Sequence, residues 1–369
     1  MWGRLDLLAL AASVAACGHG GGAPPSAGPV VDSARASSAP GPDMPRPDRR
    51  RLDAAVTLNA TCVSCHAREA AEWMGSRHRR SDTNAAYQTA LSLEPSPFCR
   101  KCHAPESDPT KAAPPAVSDL GVGCVTCHVT DGGAVLAAPR GDERGAAGAP
   151  HALRRSGEFA GAAACARCHE FEFPAPAAGG DGAFMQTTVR EHDRSSAAAR
   201  PCAACHMQSA RGRRSHAFAS VRDPGWLRSE LHASAERDEE GELRVTLVQR
   251  DPGHGFPTGD LFRRLEVGCE VRGASGDVLD RDVRYLARHF ELVMGRPGKV
   301  LVGDDRVFDR PVVVALSCAA DAPNAVGGQL SWWVSYQRVA TVGADTDPAV
   351  ARIESEVRLH AGTFPWGVK

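Results

Sequence analysis

Five short motifs of the form Cys-x-x-Cys-His constrain this chain of 369 residues more than any other feature. The motifs begin at Cys62, Cys99, Cys124, Cys165 and Cys202. In such a motif the two thiols can form thioether bonds to a haem, and the adjacent histidine can bind its iron. Paired cysteines also occur in zinc sites, but zinc does not require a histidine after every second cysteine. Because the chain has only 14 histidines, a histidine in all five places indicates haem.

The motifs therefore predict five c-type haems. The cysteines assigned to covalent attachment are Cys62, Cys65, Cys99, Cys102, Cys124, Cys127, Cys165, Cys168, Cys202 and Cys205. The histidines assigned as proximal iron ligands are His66, His103, His128, His169 and His206. Residues 54–219 contain few large aliphatic side chains and many Pro/Gly interruptions, so the porphyrins must supply much of the apolar core of this region.

The remaining three cysteines are Cys17, Cys269 and Cys318. Cys17 ends an N-terminal run with a basic start and a short apolar stretch, as in an export signal, and the run is too short to span a membrane. Its Val-Ala-Ala-Cys ending resembles a bacterial lipobox. We predict that residues 1–17 are a lipoprotein signal with lipidation at Cys17; an ordinary cleaved signal is the alternative. Export agrees with the motifs, since haem is attached to such chains outside the cytoplasm.

Two other properties bear on partners. Residues 18–53 consist largely of Gly, Ala, Pro and Ser, which predicts a flexible linker. The net charge is −1 and no long Lys/Arg run occurs, so nucleic acid is not an expected partner. Redox proteins, and a membrane reached through the N-terminal lipid, are the partners that we expect.

Longer patterns around the motifs resemble a known family. The patterns are Glu72-Trp73-x-x-Ser76-x-His78, Gly123-Cys124-x-x-Cys127-His128, Gln186-x-Thr188-x-x-Glu191, Cys202-x-x-Cys205-His206-Met207 and Ser215-His216-x-Phe218. They resemble the multihaem cytochromes c related to the tetrahaem cytochrome and hydroxylamine oxidoreductase superfamily. Residues 253–259 resemble the opening of a β-rich C-terminal domain in such exported proteins. That superfamily includes electron carriers and reductases alike.

The resemblance implies His78, His216 and His254 as distal iron ligands. His151, between the third and fourth motifs, is a further candidate, and His192 is the fifth. A weak internal repeat aligns Glu72-x-x-x-Ser76 with Glu191-x-x-x-Ser195 and so places His192 where the first copy has a tryptophan. The repeat therefore argues against His192. Met185 and Met207 are alternative thioether ligands.

The sequence changes character after about residue 222. Short segments with alternating apolar residues predict β-strands at 243–249, 265–271, 278–290, 311–318, 330–339 and 351–359. Such a series is typical of an antiparallel sandwich. Cys269 and Cys318 fall on inward faces of their strands, where they form either a disulfide or two buried thiols. Helices are predicted at 67–81 and 184–199.

These observations predict an α+β multidomain protein: a helical and loop-rich pentahaem domain at 54–219, followed by an antiparallel β-sandwich at 220–369. The function we expect is electron transfer by an exported, membrane-anchored cytochrome c, between a membrane-linked donor and a periplasmic or cell-surface acceptor. The carrier is preferred to an enzyme, because two protein ligands on every iron leave no place for a substrate. The alternatives are a reductase of a nitrogen or sulfur oxyanion at one open haem, and a haem-bearing subunit whose sandwich docks onto an outer-membrane conduit or filament. The chain lacks the lysine variant of the motif that resembles the active haem of pentahaem nitrite reductase.

Overall fold

The structure is a computed structural model, and it describes residues 44, 52–139, 150–172, 184–210, 212–218, 223–238, 242–292, 299–318, 328–340 and 348–365. Pro42–Lys369 form one compact unit. The predicted signal with Cys17, and nearly all of the predicted linker, lie outside the described residues. In the described part, no helix is both long enough and apolar enough to cross a membrane.

The first half is built from short helices. They are α1 Leu52–Cys65, α2 Ala67–Gly75, α3 Ala85–Leu93, α4 Pro97–His103, α5 Pro115–Leu120, α6 Cys124–His128, α7 Gly157–Ala160, α8 Ala163–His169, α9 Thr188–Arg194, α10 Cys202–His206 and α11 Pro224–Glu230. Three two-stranded pairs lie between them: β1 Val135–Ala137 with β2 Leu153–Arg155, β3 Glu170–Glu172 with β4 Phe184–Thr187, and β5 Ser209–Ala210 with β6 Arg213–Arg214.

The protein core of this half is small. Its buried cluster consists of Ala55, Trp73, Leu120, Val125 and Val129. A cluster of this size buries too little apolar surface to stabilise some 150 residues by itself. The observation agrees with the expectation that bound porphyrins complete the core.

The second half is a set of antiparallel strands. They are β7 Leu231–Arg237, β8 Leu243–Gln249, β9 Arg263–Arg272, β10 Val278–Leu286, β11 Arg288–Leu292, β12 Lys299–Asp304, β13 Val312–Leu316, β14 Gln329–Val339 and β15 Ile353–Pro365. One sheet has the order β10-β9-β14-β15, a second has the order β13-β8-β7, and β11 and β12 form a hairpin. The two larger sheets share one hydrophobic cluster. Cys269 and Cys318 form a disulfide within it.

Three predicted segments differ from the structure. The helix predicted at 67–81 ends at Gly75, because Ser76 takes an extended conformation with ψ of 167°. The helix predicted at 184–199 begins only at Thr188, since Phe184–Thr187 pair with β3 as a strand. The strand predicted at 278–290 is divided between β10 and β11.

Candidate haem-binding sites

Each Cys-x-x-Cys-His motif lies at or near the end of a short helix. The first motif spans the end of α1, and the others end helices α4, α6, α8 and α10. Cysteines three residues apart on a helix point to the same side, so both thiols of a motif can reach one porphyrin. None of the ten motif cysteines forms a disulfide. The local structure is therefore suited to thioether attachment.

Four of the five motif histidines face a second histidine from a distant part of the chain. The ring centres are 6.5 Å apart for His66 and His151, and 6.2 Å apart for His78 and His169. They are 6.1 Å apart for His128 and His216, and 6.0 Å apart for His206 and His254. Two imidazoles that bind one metal ion through nitrogens about 2 Å from it have ring centres about 6 Å apart. All four pairs thus have the spacing that two axial ligands of one iron require.

Backbone carbonyls orient several of these rings. Nδ1 of His128 lies 2.9 Å from the Leu136 carbonyl oxygen, and Nδ1 of His216 lies 3.1 Å from that of Arg214. Nδ1 of His254 lies 3.1 Å from the carbonyl oxygen of Gly255. A hydrogen bond from Nδ1–H to a carbonyl leaves Nε2 as the nitrogen that can bind a metal.

The His78 residue is half-buried, and the motif histidines His169 and His206 lie near its ring. Burial and, to a smaller extent, the charges of His169 and His206 lower the pKa of His78 to about 4. His78 is therefore a neutral imidazole at pH 7, which is the form that binds iron. Its Nδ1 is buried and has no hydrogen-bond partner among the described residues.

The second motif has a different neighbour. Nδ1 of His103 lies 2.7 Å from the Ser81 carbonyl oxygen, as expected for a proximal ligand. The ring that packs on His103 belongs to Tyr87, with centres 3.6 Å apart and planes 3° apart. The Tyr87 hydroxyl is buried without a hydrogen-bond partner in the described part of the chain. No described histidine ring faces His103, and sequence reasoning had given Tyr87 no role.

His192 has no such partner either. The described ring contacts pair it with no motif histidine, and its Nδ1 is buried without a hydrogen bond. It lies near Gly253 and close to Cys202 of the fifth motif, which already has a facing pair. Ligation by His192 therefore stays a prediction without geometric support.

Contacts between motifs show which of them are neighbours. Asn59 of α1 accepts a hydrogen bond of 2.8 Å from the backbone N–H of Cys124, which joins the first motif to the third. The Cys165 thiol contacts Cys202, and the Cys168 thiol contacts Cys102. The fourth motif is therefore adjacent to both the fifth and the second, and Cys127 of the third motif also lies near Cys165.

Comparisons with known proteins agree with this chemistry. A family model described as cytochrome c554 and c-prime matches residues 61–129, which contain the first three motifs. No curated protein shows significant sequence similarity to the chain. These findings support a multihaem cytochrome c. They likewise support c-type haem as the cofactor and electron transfer as the general activity.

A solved structure resembles this chain over most of its length. It is a penta-heme cytochrome c552 from Thermochromatium tepidum, with a TM-score of 0.63 and 19% sequence identity. The match covers 86% of this chain and 100% of the other. At this identity the likeness establishes the fold. Multihaem cytochromes of the c type are typically exported.

Proposed function

We propose that the chain is an exported five-haem electron carrier. It passes electrons between a membrane-linked donor and a periplasmic or cell-surface acceptor. The observation that carries the proposal is the set of four facing histidine pairs with ring centres 6.0 to 6.5 Å apart. An iron with both axial positions filled by protein exchanges electrons without binding a substrate.

The proposed distal ligands follow from the pairs. His151 would complete the first site, His216 the third, His78 the fourth and His254 the fifth. Only four of the five candidates predicted from the sequence have this geometry, because His192 has no facing motif histidine. The haems supply one-electron transfer, and the chain supplies their ligands and their order.

Neighbouring motifs suggest a route for electrons. The route runs from the first motif through the third to the fourth, which contacts both the second and the fifth. The first site also reaches the surface: Cys65 is the one exposed cysteine of the ten, and His66 and His151 are exposed as well. We propose this site as the port for a redox partner.

The first experiment counts haems and spin states. Intact mass spectrometry of protein matured with haem should show five covalent haems, and a preparation dominated by zinc would refute the cofactor. Electron paramagnetic resonance should show four low-spin haems with two histidine ligands. His78→Ala should convert one of them to high spin while all five haems stay attached. His192→Ala is the matched control and should leave every signal unchanged.

A reductase is the second candidate, and the observation that favours it concerns His103. Tyr87, not a histidine, stacks on this ring. The described ring contacts pair His103 with no histidine, so the second site has no described candidate for a distal ligand. A small nitrogen or sulfur oxyanion could bind there. Adding nitrite or hydroxylamine should then perturb a high-spin signal and give turnover. Binding without turnover would leave the carrier as the function.

The proposed anchor has its own test. Cys17→Ser should move the protein from the membrane fraction to the soluble fraction with all haems retained, because the lipid and the haems occupy separate parts of the chain. Sedimentation of the variant with membranes would mean that something other than a lipid at this cysteine holds the protein there.

A further inference from the structure

Helices α2 and α9 end in the same way, although they follow different motifs. Each carries a glutamate four residues before a serine that ends the helix, namely Glu72 before Ser76 and Glu191 before Ser195. The serines have nearly equal backbone angles, with φ −78° and ψ 167° for Ser76 and φ −82° and ψ 162° for Ser195. Both serines are buried. The weak sequence repeat thus corresponds to a repeated local structure.

The first glutamate holds the segment that carries His216. Oε2 of Glu72 accepts a hydrogen bond of 2.8 Å from the backbone N–H of His216 itself. Arg213 donates to both carboxylate oxygens of Glu72. These bonds join α2, which follows the first motif, to the segment that faces His128 of the third motif. A bidentate arginine fixes both the orientation of a carboxylate and its charge.

The second glutamate holds the segment that carries His254. Oε2 of Glu191 accepts hydrogen bonds of 3.0 Å from the backbone N–H of Gly255 and from the Thr258 hydroxyl. Arg306 donates to Oε1 of Glu191 at 2.7 Å and to the Pro257 carbonyl at 2.9 Å. Both Glu191 and Arg306 are at least nine-tenths buried. Hydrogen bonds therefore hold this loop at Gly255, Pro257 and Thr258, just beyond the histidine that faces His206.

The two arrangements have the same parts. Each has a helix carboxylate, one arginine that neutralises it, and a backbone N–H at or directly after a histidine that faces a motif histidine. The Glu191 carboxylate is buried, whereas the Glu72 side chain is 24% exposed. Removing either one leaves an arginine and a backbone N–H without their partner, which costs most at the buried site. Neither glutamate reaches a ring nitrogen in the structure, so each acts on the ligand through its backbone.

We propose that Glu72 and Glu191 are equivalent positioning residues, each of which holds a distal histidine in place for a haem other than that of the motif preceding its own helix. Glu72 positions His216 for the third haem, and Glu191 positions His254 for the fifth. The proposal rests on the proposed function, because it takes both histidines as distal ligands. It gives the repeated Glu-x-x-x-Ser pattern a physical role in keeping those ligands bound.

The test measures how firmly the distal histidine stays bound. In dithionite-reduced protein with all haems attached, carbon monoxide can bind a haem with two histidine ligands only after one of them dissociates. Glu72→Ala and Glu191→Ala should each speed carbon monoxide binding at one haem at least tenfold, equivalent to about 1.4 kcal/mol. Glu69→Ala and Asp193→Ala are the matched controls. They remove a carboxylate from the same two helices that accepts no backbone N–H of either histidine segment; Glu69 contacts only the Arg213 guanidinium, at 3.4 Å, and both variants should stay near the wild-type rate.

Double variants assign each effect to its ligand. Once His254→Ala has opened the fifth haem, adding Glu191→Ala should change its carbon monoxide binding no further, and the same holds for His216→Ala with Glu72→Ala. Where an alanine variant does not fold, Glu191→Gln or Glu72→Gln replaces it. Glutamine keeps an oxygen that can accept the backbone N–H but loses the charge that pairs with arginine, so a smaller acceleration is expected.

The outcomes separate this proposal from the proposed function. Wild-type rates in both glutamate variants, with a new carbon monoxide-binding haem in both histidine variants, would overturn the positioning role and leave the ligands standing. If the histidine variants also behave as the wild type, the ligand assignment itself is wrong, and the positioning role is wrong with it.

Discussion

Gly121 packs against the turn that carries His78. Replacing Gly121 should lower both the stability of the protein and its number of low-spin haems. Gly121 has φ of +56° and ψ of −132°, a backbone conformation that alanine adopts only at a cost of about 1–3 kcal/mol. A Cβ atom built at this position would lie 2.5 Å from the carbonyl oxygen of His78, 2.6 Å from that of Arg79 and 2.8 Å from Oγ of Ser81. The neighbouring Val122 N–H also donates to the His78 carbonyl, at 2.9 Å.

Gly121→Ala therefore combines backbone strain with displacement of the His78 turn. Together with the typical cost of overpacking, the free energy of unfolding should fall by about 4 kcal/mol. Gly133→Ala is the matched control, since Gly133 also has positive φ, +82°, but no atom within 4 Å of an added Cβ. It should cost only about 1–2 kcal/mol.

The assay pairs denaturant unfolding with spin-state counting. Gly121→Ala should lower the midpoint more than Gly133→Ala and should turn one low-spin haem to high spin, because the ring of His78 moves away from that of His169. Equal stability losses in the two variants, with an unchanged number of low-spin haems in both, would refute the link between this glycine and the position of His78.

Two further predictions concern single polar contacts. Burial would raise the pKa of Asp260, but Arg263 and Arg338 more than offset burial and hold this pKa below its usual range. The ionised Asp260 therefore stabilises the fold above about pH 4, and this contribution is lost as the pH falls through the folded-state pKa. Asp260→Asn should lower the unfolding free energy at pH 7 and weaken its fall at acid pH, and parallel acid limbs for variant and wild type would argue against this. Asn59→Ala should cost about 1–2 kcal/mol in denaturant unfolding because it leaves the Cys124 N–H without its acceptor, whereas an unchanged midpoint would mean that the bond contributes nothing.

The β-rich half could be predicted well, because its signals are local. The alternation at 243–249 gave β8 at its observed ends, and the inward face at 265–271 contains Leu265 and Val267, which are fully buried. Strand β7 was missed, since its inward positions after Leu231 are Ala233, Ala235 and Arg237, which form a weak apolar pattern. The helix predicted at 184–199 was placed too early, because Phe184–Thr187 form a strand that pairs with β3. Local sequence does not reveal such a pairing.

In the candidate sites, too, local features could be predicted from the sequence and long-range contacts could not. Attachment motifs are local, so the cysteines and motif histidines could be named from the sequence. The facing rings come from residues far away in the chain, and sequence reasoning could name candidates such as His151 without pairing them. Tyr87 had no local signal at all, since its role depends on packing against His103. Glu72 and Glu191 did have a signal, the repeat, but their bonds to the two histidine segments required coordinates.

The facing histidine pairs also limit which fragments of the chain can bring all of their rings together. Each pair closes a loop of roughly 50 to 90 residues, and successive loops overlap along the chain: 66–151, 78–169, 128–216 and 206–254. A chain that stops anywhere between residues 66 and 253 leaves at least one histidine without the ring that faces it. An N-terminal fragment can therefore close all four loops only if it includes residue 254, which lies in the β-rich half. We therefore expect the haem region and the start of the β-rich half to fold together.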